Sequence, residues 1–155
     1  MSVSETFDII IQVEAKMSEC YNEISRHCQD ESIAKQFIRL SNDETAHMNL
    51  LIMGRNYLKG APDIFHLRQE RIGELKIGLN KITRLIEKVR DKNISLEEAL
   101  NDAVELERLF EQFHLKTVAE VEDTSLKKLF EALSTDDKTH RMRLISIMKR
   151  FNRTS

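Results

Sequence analysis

One proline, four glycines and no tryptophan occur in 155 residues. So few helix breakers leave little material for hairpin turns or long loops. Alanine, leucine, isoleucine, glutamate and lysine are plentiful, which is the composition of an all-helical protein. Cysteine is scarce too. Cys20 and Cys28 stand eight residues apart on one expected helix, about 12 Å at 1.5 Å per residue, too far to bridge. No Cys-x-x-Cys pair exists, which excludes a zinc knuckle or a rubredoxin-type iron site built on thiolates. Two unpaired thiols suit a reducing cytosol, so a cytoplasmic location is expected.

An excess of one charge is also lacking. Lys and Arg total 24, Asp and Glu 26, and the net charge is −2. That balance carries no footprint of nucleic acid or of an anionic membrane as partner. No stretch approaches the roughly 18 apolar residues of a membrane span. The N-terminus has no basic flank followed by an apolar run, so no signal peptide is expected. There is no Gly-rich phosphate loop, no Gly-x-Ser-x-Gly, and no basic face interleaved with aromatics. The length suits one domain with a real core.

What is present is a repeat. Shifting the chain by 93 residues lays Ile10–Gly54 on Ala103–Ile147 without a gap, with eleven identities in 45 positions. Glu14 meets Glu107, Asp30 meets Asp123, Phe37 meets Phe130, Asp43 meets Asp136, His47 meets His140, and Glu44 meets Asp137. A single duplication of this kind reads as two copies of one helical hairpin. In each copy the first carboxylate precedes the second by 30 residues, with polar residues midway, at Gln29-Asp30 and Glu122-Asp123. Each hairpin therefore carries a carboxylate halfway along its first helix. A Glu/Asp-x-x-His stands level with it on the second. Residues three apart share one helix face, so each Glu/Asp-x-x-His pair can reach one ion. Two packed hairpins then bring four carboxylates and two histidines together in mid-bundle. That is the ligand set of a carboxylate-bridged di-iron or di-manganese site.

The apolar pattern places these residues inward. The first helix, expected over about 4–28, has the stripe Phe7, Ile10, Ile11, Met17, Tyr21 and Ile24 with Glu14 inside it. Asp30-Glu31-Ser32 opens the second, about 31–54, with Ile33, Phe37, Leu40, Glu44, His47 and Leu51 inward. Gly54 and Gly60-Ala61-Pro62-Asp63 mark a break. Ile72 to Val89 keep helical spacing within a third, crossover helix over about 63–92, which Gly73 and Gly78 weaken by about 1 kcal/mol each relative to Ala. Ser95-Leu96-Glu97-Glu98 is a capping box for a helix over about 96–122, whose stripe contains Glu107 and His114. The last helix, about 125–151, turns Leu126, Phe130, Leu133, Asp137, His140 and Leu144 inward. The organisation is thus one domain: hairpin one over about 4–54, a crossover over 55–95, and hairpin two over about 96–151.

On Glu14, Glu44-x-x-His47, Glu107 and Asp137-x-x-His140, the chain resembles the rubrerythrin branch of the ferritin-like superfamily. Tyr21 and His114, each seven residues after a first carboxylate, add to the likeness. The resemblance covers both hairpins and implies a ferritin-like four-helix bundle holding two iron ions, with manganese or zinc as substitutes. It implies that Glu44 and Asp137 bridge the ions. Glu14 with His47, and Glu107 with His140, complete them. Tyr21 and His114 would hydrogen-bond the ligands. Carboxylate and imidazole donors independently suit iron and manganese. The implied activity is that of an oxidoreductase acting on peroxide or O2, or oxidising Fe(II).

Three departures from the family qualify the picture. Asp137 stands where the family has Glu and is one methylene, about 1.5 Å, shorter. The bridge is then lopsided or lost, or Asp136 contributes to it. The 63 residues from Glu44 to Glu107 exceed the family's usual link, hence the crossover helix. The rubredoxin-type domain of full rubrerythrins is missing, so a separate redox donor protein is implied. A homodimer is allowed, because the crossover helix offers an extra apolar face. Two other readings stand beside the enzyme. One is a metal-binding module without turnover. The other is a degenerate bundle, in which the buried carboxylates need Arg or Lys partners.

Overall fold

The structure, a computed structural model, describes residues 2–61 and 64–154. Among the described residues there are five α-helices and no strand. Ser2 opens the first helix, Val3–His27 (α1), accepting from Glu5 N at 3.1 Å while Ser2 N donates to Glu5 Oε2 at 2.6 Å. This reciprocal box satisfies two of the backbone donors that a helix start leaves free. The second helix, Glu31–Leu58 (α2), starts on Asp30, whose carboxylate accepts from Ile33 N at 3.1 Å. Asp123, its counterpart 93 residues on, accepts from Leu126 N at 3.0 Å and starts Thr124–Thr154, the last helix. Between them lie Gln69–Arg90 (α3) and Leu96–Glu120 (α4); the last helix is α5. Ser95 caps α4 by accepting from Glu98 N at 3.1 Å, the serine half of the expected box.

Two boundaries differ from the sequence expectation. Gly54 does not end α2, which runs on to Leu58. Gly54 is there for space: a Cβ would stand 2.9 Å from Leu129 Cδ2 and 3.1 Å from Phe7 Cε1. The crossover helix starts at Gln69, not near residue 63; Pro62 and Asp63 lie outside the described residues.

Side-chain pairs set the directions of the helices. Asp8 meets Arg55 at 2.6 Å, and Ser18 Oγ donates to Ser41 O at 3.0 Å, so α1 and α2 are antiparallel. Tyr21 meets Glu107 while Glu14 faces His114, so α1 and α4 are antiparallel. His47 meets Asp136 and Asp43 meets His140, so α2 and α5 are antiparallel as well. Therefore α2 and α4 point the same way, and the chain must travel the bundle's length between them. The 22 residues of α3, about 33 Å of helix, make that return.

At one end of α3, Arg90 reaches Glu19 at 2.7 Å and Glu23 at 3.2 Å on α1. At the other, the buried Arg71 donates to Phe113 O at 2.7 Å and Thr117 Oγ1 at 2.8 Å on α4, and lies 4.3 Å over the Phe113 ring. The apolar stripe of α3 (Ile72, Leu75, Ile82, Leu85, Ile86, Val89) is buried, and the helix packs on α1 and α4.

The two glycines of α3 are not equivalent. A Cβ on Gly78 would come within 2.8 Å of the buried Phe110 ring, whereas one on Gly73 would meet nothing within 4 Å. Gly78→Ala is expected to destabilise by about 1–3 kcal/mol through overpacking. Gly73→Ala is expected to stabilise by about 0.5–1 kcal/mol through helix propensity. Urea unfolding of the two variants tests this, and a shift of the same sign in both would contradict the close approach of α3 to α4.

Candidate metal centre

Each hairpin contributes two helices to the middle of the bundle, and each helix presents ligand-type residues from its apolar stripe. On α2 the buried run Leu40, Glu44, His47, Leu51 follows one helix face. Glu14 comes from α1, Glu107 and His114 from α4, Asp137 and His140 from α5. Glu14, Glu44, His47, Glu107, His114, Asp137 and His140 are all 3% exposed or less. They fall into three overlapping groups, each of whose ligand atoms lie within 4.8 Å of one another: Glu14, Glu44 and His47; Glu44, Glu107, Asp137 and His140; and Glu14, His114 and Asp137.

Glu44 faces both ways. Its Oε2 is 3.2 Å from His47 Nδ1 and its Oε1 is 2.8 Å from His140 Nδ1. His47 Nδ1 is also 3.7 Å from Glu14 Oε2, and His140 Nδ1 is 3.4 Å from Glu107 Oε1. The two imidazoles stack with centroids 5.4 Å apart. Tyr21 donates its hydroxyl to Glu107. His114 Nδ1 lies 2.6 Å from Asp137 Oδ2, and its Nε2 faces Glu14 Oε1 at 3.9 Å. Tyr21 rests on Phe37 and His114 on Phe130, each pair with centroids 5.9 Å apart, so the repeat extends to the aromatic backing of the centre.

Two residues escaped the sequence reading in this role. His47 Nε2 is 2.9 Å from Asp136 Oδ2, and His140 Nε2 is 3.2 Å from Asp43 Oδ2. Each hairpin's aspartate thus holds the other hairpin's histidine. An Nε2–H donated to a carboxylate fixes the ring and directs Nδ1 to the interior. The available signal was the identity of Asp43 and Asp136 across the repeat, next to a ligand each time. Asp136 is half-exposed at this position and stands in none of the three groups.

Electrostatics follow from crowding anions away from water. Burial, with Glu14 and Glu107 close by, pushes the Glu44 carboxyl well above the usual range. Burial and the same two carboxylates push Asp137 well above it too. Burial works to raise Glu14 as well, but hydrogen bonds from Glu44 and His47 outweigh it and hold Glu14 down at about 2. Burial opposes charge on His47, yet Glu14 and Glu44 raise it to about 12. His140 goes to about 9 against its burial, chiefly through Glu107. His114 alone among the three rings is driven down, to about 4, because burial dominates. The ion pairs these four carboxylates make among the described residues are all with histidine, none with lysine or arginine.

The chain matches no family model, no curated protein and no solved structure. The donors themselves are therefore the basis for reading the site. Four buried carboxylates and three imidazoles without a fixed cation fit divalent metal ions, because buried charges are paired or coordinate metals. Oxygen and nitrogen donors without thiolate fit iron, manganese or zinc. Surface clefts lie elsewhere. One of about 520 Å³ opens between α3 and α4, beside Lys81, Arg84, Lys88 and Arg108, and another of about 390 Å³ lies near Cys28 and Lys92; neither is lined by any of these ligands.

Proposed function

We propose that this chain is a ferritin-like, rubrerythrin-type protein that binds two iron ions and acts on peroxide or O2, or oxidises Fe(II), with electrons from a separate donor protein. The observation that carries the reading is the set of four buried carboxylates whose ion pairs are with histidine alone. Without metal these carboxylates are balanced only by protons, on His47 and His140 above all, and divalent ions would take the place of those protons. Glu14 and His47 would hold one ion, Glu107, His140 and Asp137 the other, and Glu44 would be shared.

Held by these residues, two iron(II) ions would supply the two electrons that cleave a single O–O bond. The chain's own residues exclude bulk water, since every ligand is buried. The same burial supports a substrate as small as O2 or hydrogen peroxide over an organic one. Tyr21 orients Glu107, and Asp43 and Asp136 orient the histidines.

Anaerobic loading with Fe(II), desalting and metal analysis test the proposal. Two irons per chain are expected, followed by peroxide consumption with a chemical reductant. Two irons without turnover would leave a metal-binding module that takes iron, manganese or zinc. No iron, and no thermal stabilisation by any of the three metals, would overturn it.

Loading should also release protons. Without metal, His47, raised to about 12, and His140, raised to about 9, hold protons near neutral pH, and burial pushes the Glu44 and Asp137 carboxyls upward as well. Ligands must lose them to bind, so affinity should fall as pH falls. Calorimetric titration in buffers of different ionisation heat reads the release. A binding heat that does not depend on the buffer would contradict the protonation assigned here.

A further inference from the structure

The repeat makes one ligand pair unequal. Where the first half has Glu44, the second has the shorter Asp137. Where the first half has Tyr21, the second has His114. These two differences meet in space, because His114 Nδ1 is 2.6 Å from Asp137 Oδ2. We propose that His114 is a seventh ligand of the centre, giving Nε2 to the ion held by Glu14 and His47, in the place that a longer second bridge would have served. The inference rests on the two-metal reading above.

Three observations support it. First, Glu14 is common to two groups of ligand atoms within 4.8 Å of one another, one with Glu44 and His47 and one with His114 and Asp137, so it links His114 to the ion of the first group. Second, His114 Nε2 stands 3.9 Å from Glu14 Oε1, beyond hydrogen-bond distance. Two donors each about 2.0–2.2 Å from one ion can be up to about 4.3 Å apart, so the pair lies within reach of a common ion. Third, a ligating imidazole gives its other N–H to a carboxylate. His47 does so with Asp136 and His140 with Asp43. His114 does the same with Asp137, only with its ring nitrogens exchanged.

The assignment divides the protein ligands four and four. Glu14, Glu44, His47 and His114 serve one ion. Glu44, Glu107, Asp137 and His140 serve the other. With one Asp137 oxygen occupied by His114 Nδ1–H, the remaining oxygen binds a single ion. The bridge is then carried by Glu44 alone. Tyr21 cannot play the matching part, because its hydroxyl is spent on Glu107.

Proton NMR of the full chain loaded with Co(II) decides the matter. Each ligating imidazole contributes one hyperfine-shifted N–H resonance, so three are expected. Two would overturn the proposal. His114→Tyr places here the residue found at the matching position of the first half and keeps a donor for Asp137. It should reduce the count from three to two and weaken the binding of one Co(II) by at least about tenfold. Unchanged affinity in that variant, with two resonances before and after, would make His114 a positioning residue for Asp137. No Co(II) uptake by the parent protein would instead overturn the two-metal reading beneath it. The count in the parent protein decides the question even if the variant fails to fold.

Discussion

Glu44→Ala is expected to remove iron from both positions, leaving well under one iron per chain where the parent holds two. Glu44 is the one carboxylate that stands with both Glu14 and His47 on one side and with Glu107, Asp137 and His140 on the other. Its two oxygens are divided between the histidines, 3.2 Å from His47 Nδ1 and 2.8 Å from His140 Nδ1. Glu14→Ala touches one side only and should keep about one iron. His47→Ala and His140→Ala should each lower the metal content as well. The comparison is made on protein loaded anaerobically, desalted and analysed for iron. Equal iron in Glu44→Ala and Glu14→Ala would show that Glu44 is not shared. Unchanged stoichiometry in all four variants would end the site assignment.

Phe130→Ala should cost about 3–5 kcal/mol of stability, the range for deleting a buried aromatic ring. Phe130 has no exposed surface. Its ring stacks on Phe65 at 5.7 Å, meets Phe7 at 6.2 Å and backs His114 at 5.9 Å. Phe65 belongs to the connection between α2 and α3, so this one side chain joins α5 and α1 to the connection and to the centre. In a chain of this size the loss corresponds to a fall in Tm of roughly 6–20 °C. Phe130→Leu keeps most of the volume and should cost less than about 1.5 kcal/mol. Urea unfolding of the metal-free variants checks both. A loss below about 1.5 kcal/mol in Phe130→Ala would mean that the aromatic cluster can collapse to fill the space. Because Phe130 shelves His114, the alanine variant should also lose metal affinity, whereas Phe7→Ala should lower stability with a smaller effect on metal.

The helical class, the two hairpins and the residues that converge in mid-bundle were legible in the sequence for a local reason. Helical periodicity and a gapless 93-residue repeat are properties of the chain read along its length. A carboxylate or histidine inside an apolar stripe needs no partner to be noticed. The aspartates opening α2 and α5 were legible on the same grounds. Four features were decided only by the tertiary structure. Gly54 looked like a helix end because a lone glycine weakens a helix. Its use is the 2.9 Å approach of Leu129, which belongs to another helix. Gly73 and Gly78 read alike in sequence and differ only in what α4 places opposite them. Along the chain Asp43 carries no role beyond its match to Asp136 in the repeat, and Asp136 reads only as a contributor to the bridge. Antiparallel crossing of α2 and α5 delivers each to the other hairpin's histidine. His114 read as a hydrogen-bonding partner of a ligand. Its ring also faces Glu14, on the other hairpin, because α1 and α4 cross at that level. Spacing along one helix determines which residues share a face. Which groups meet across two helices is set by the packing of the bundle, and no single helix carries that information.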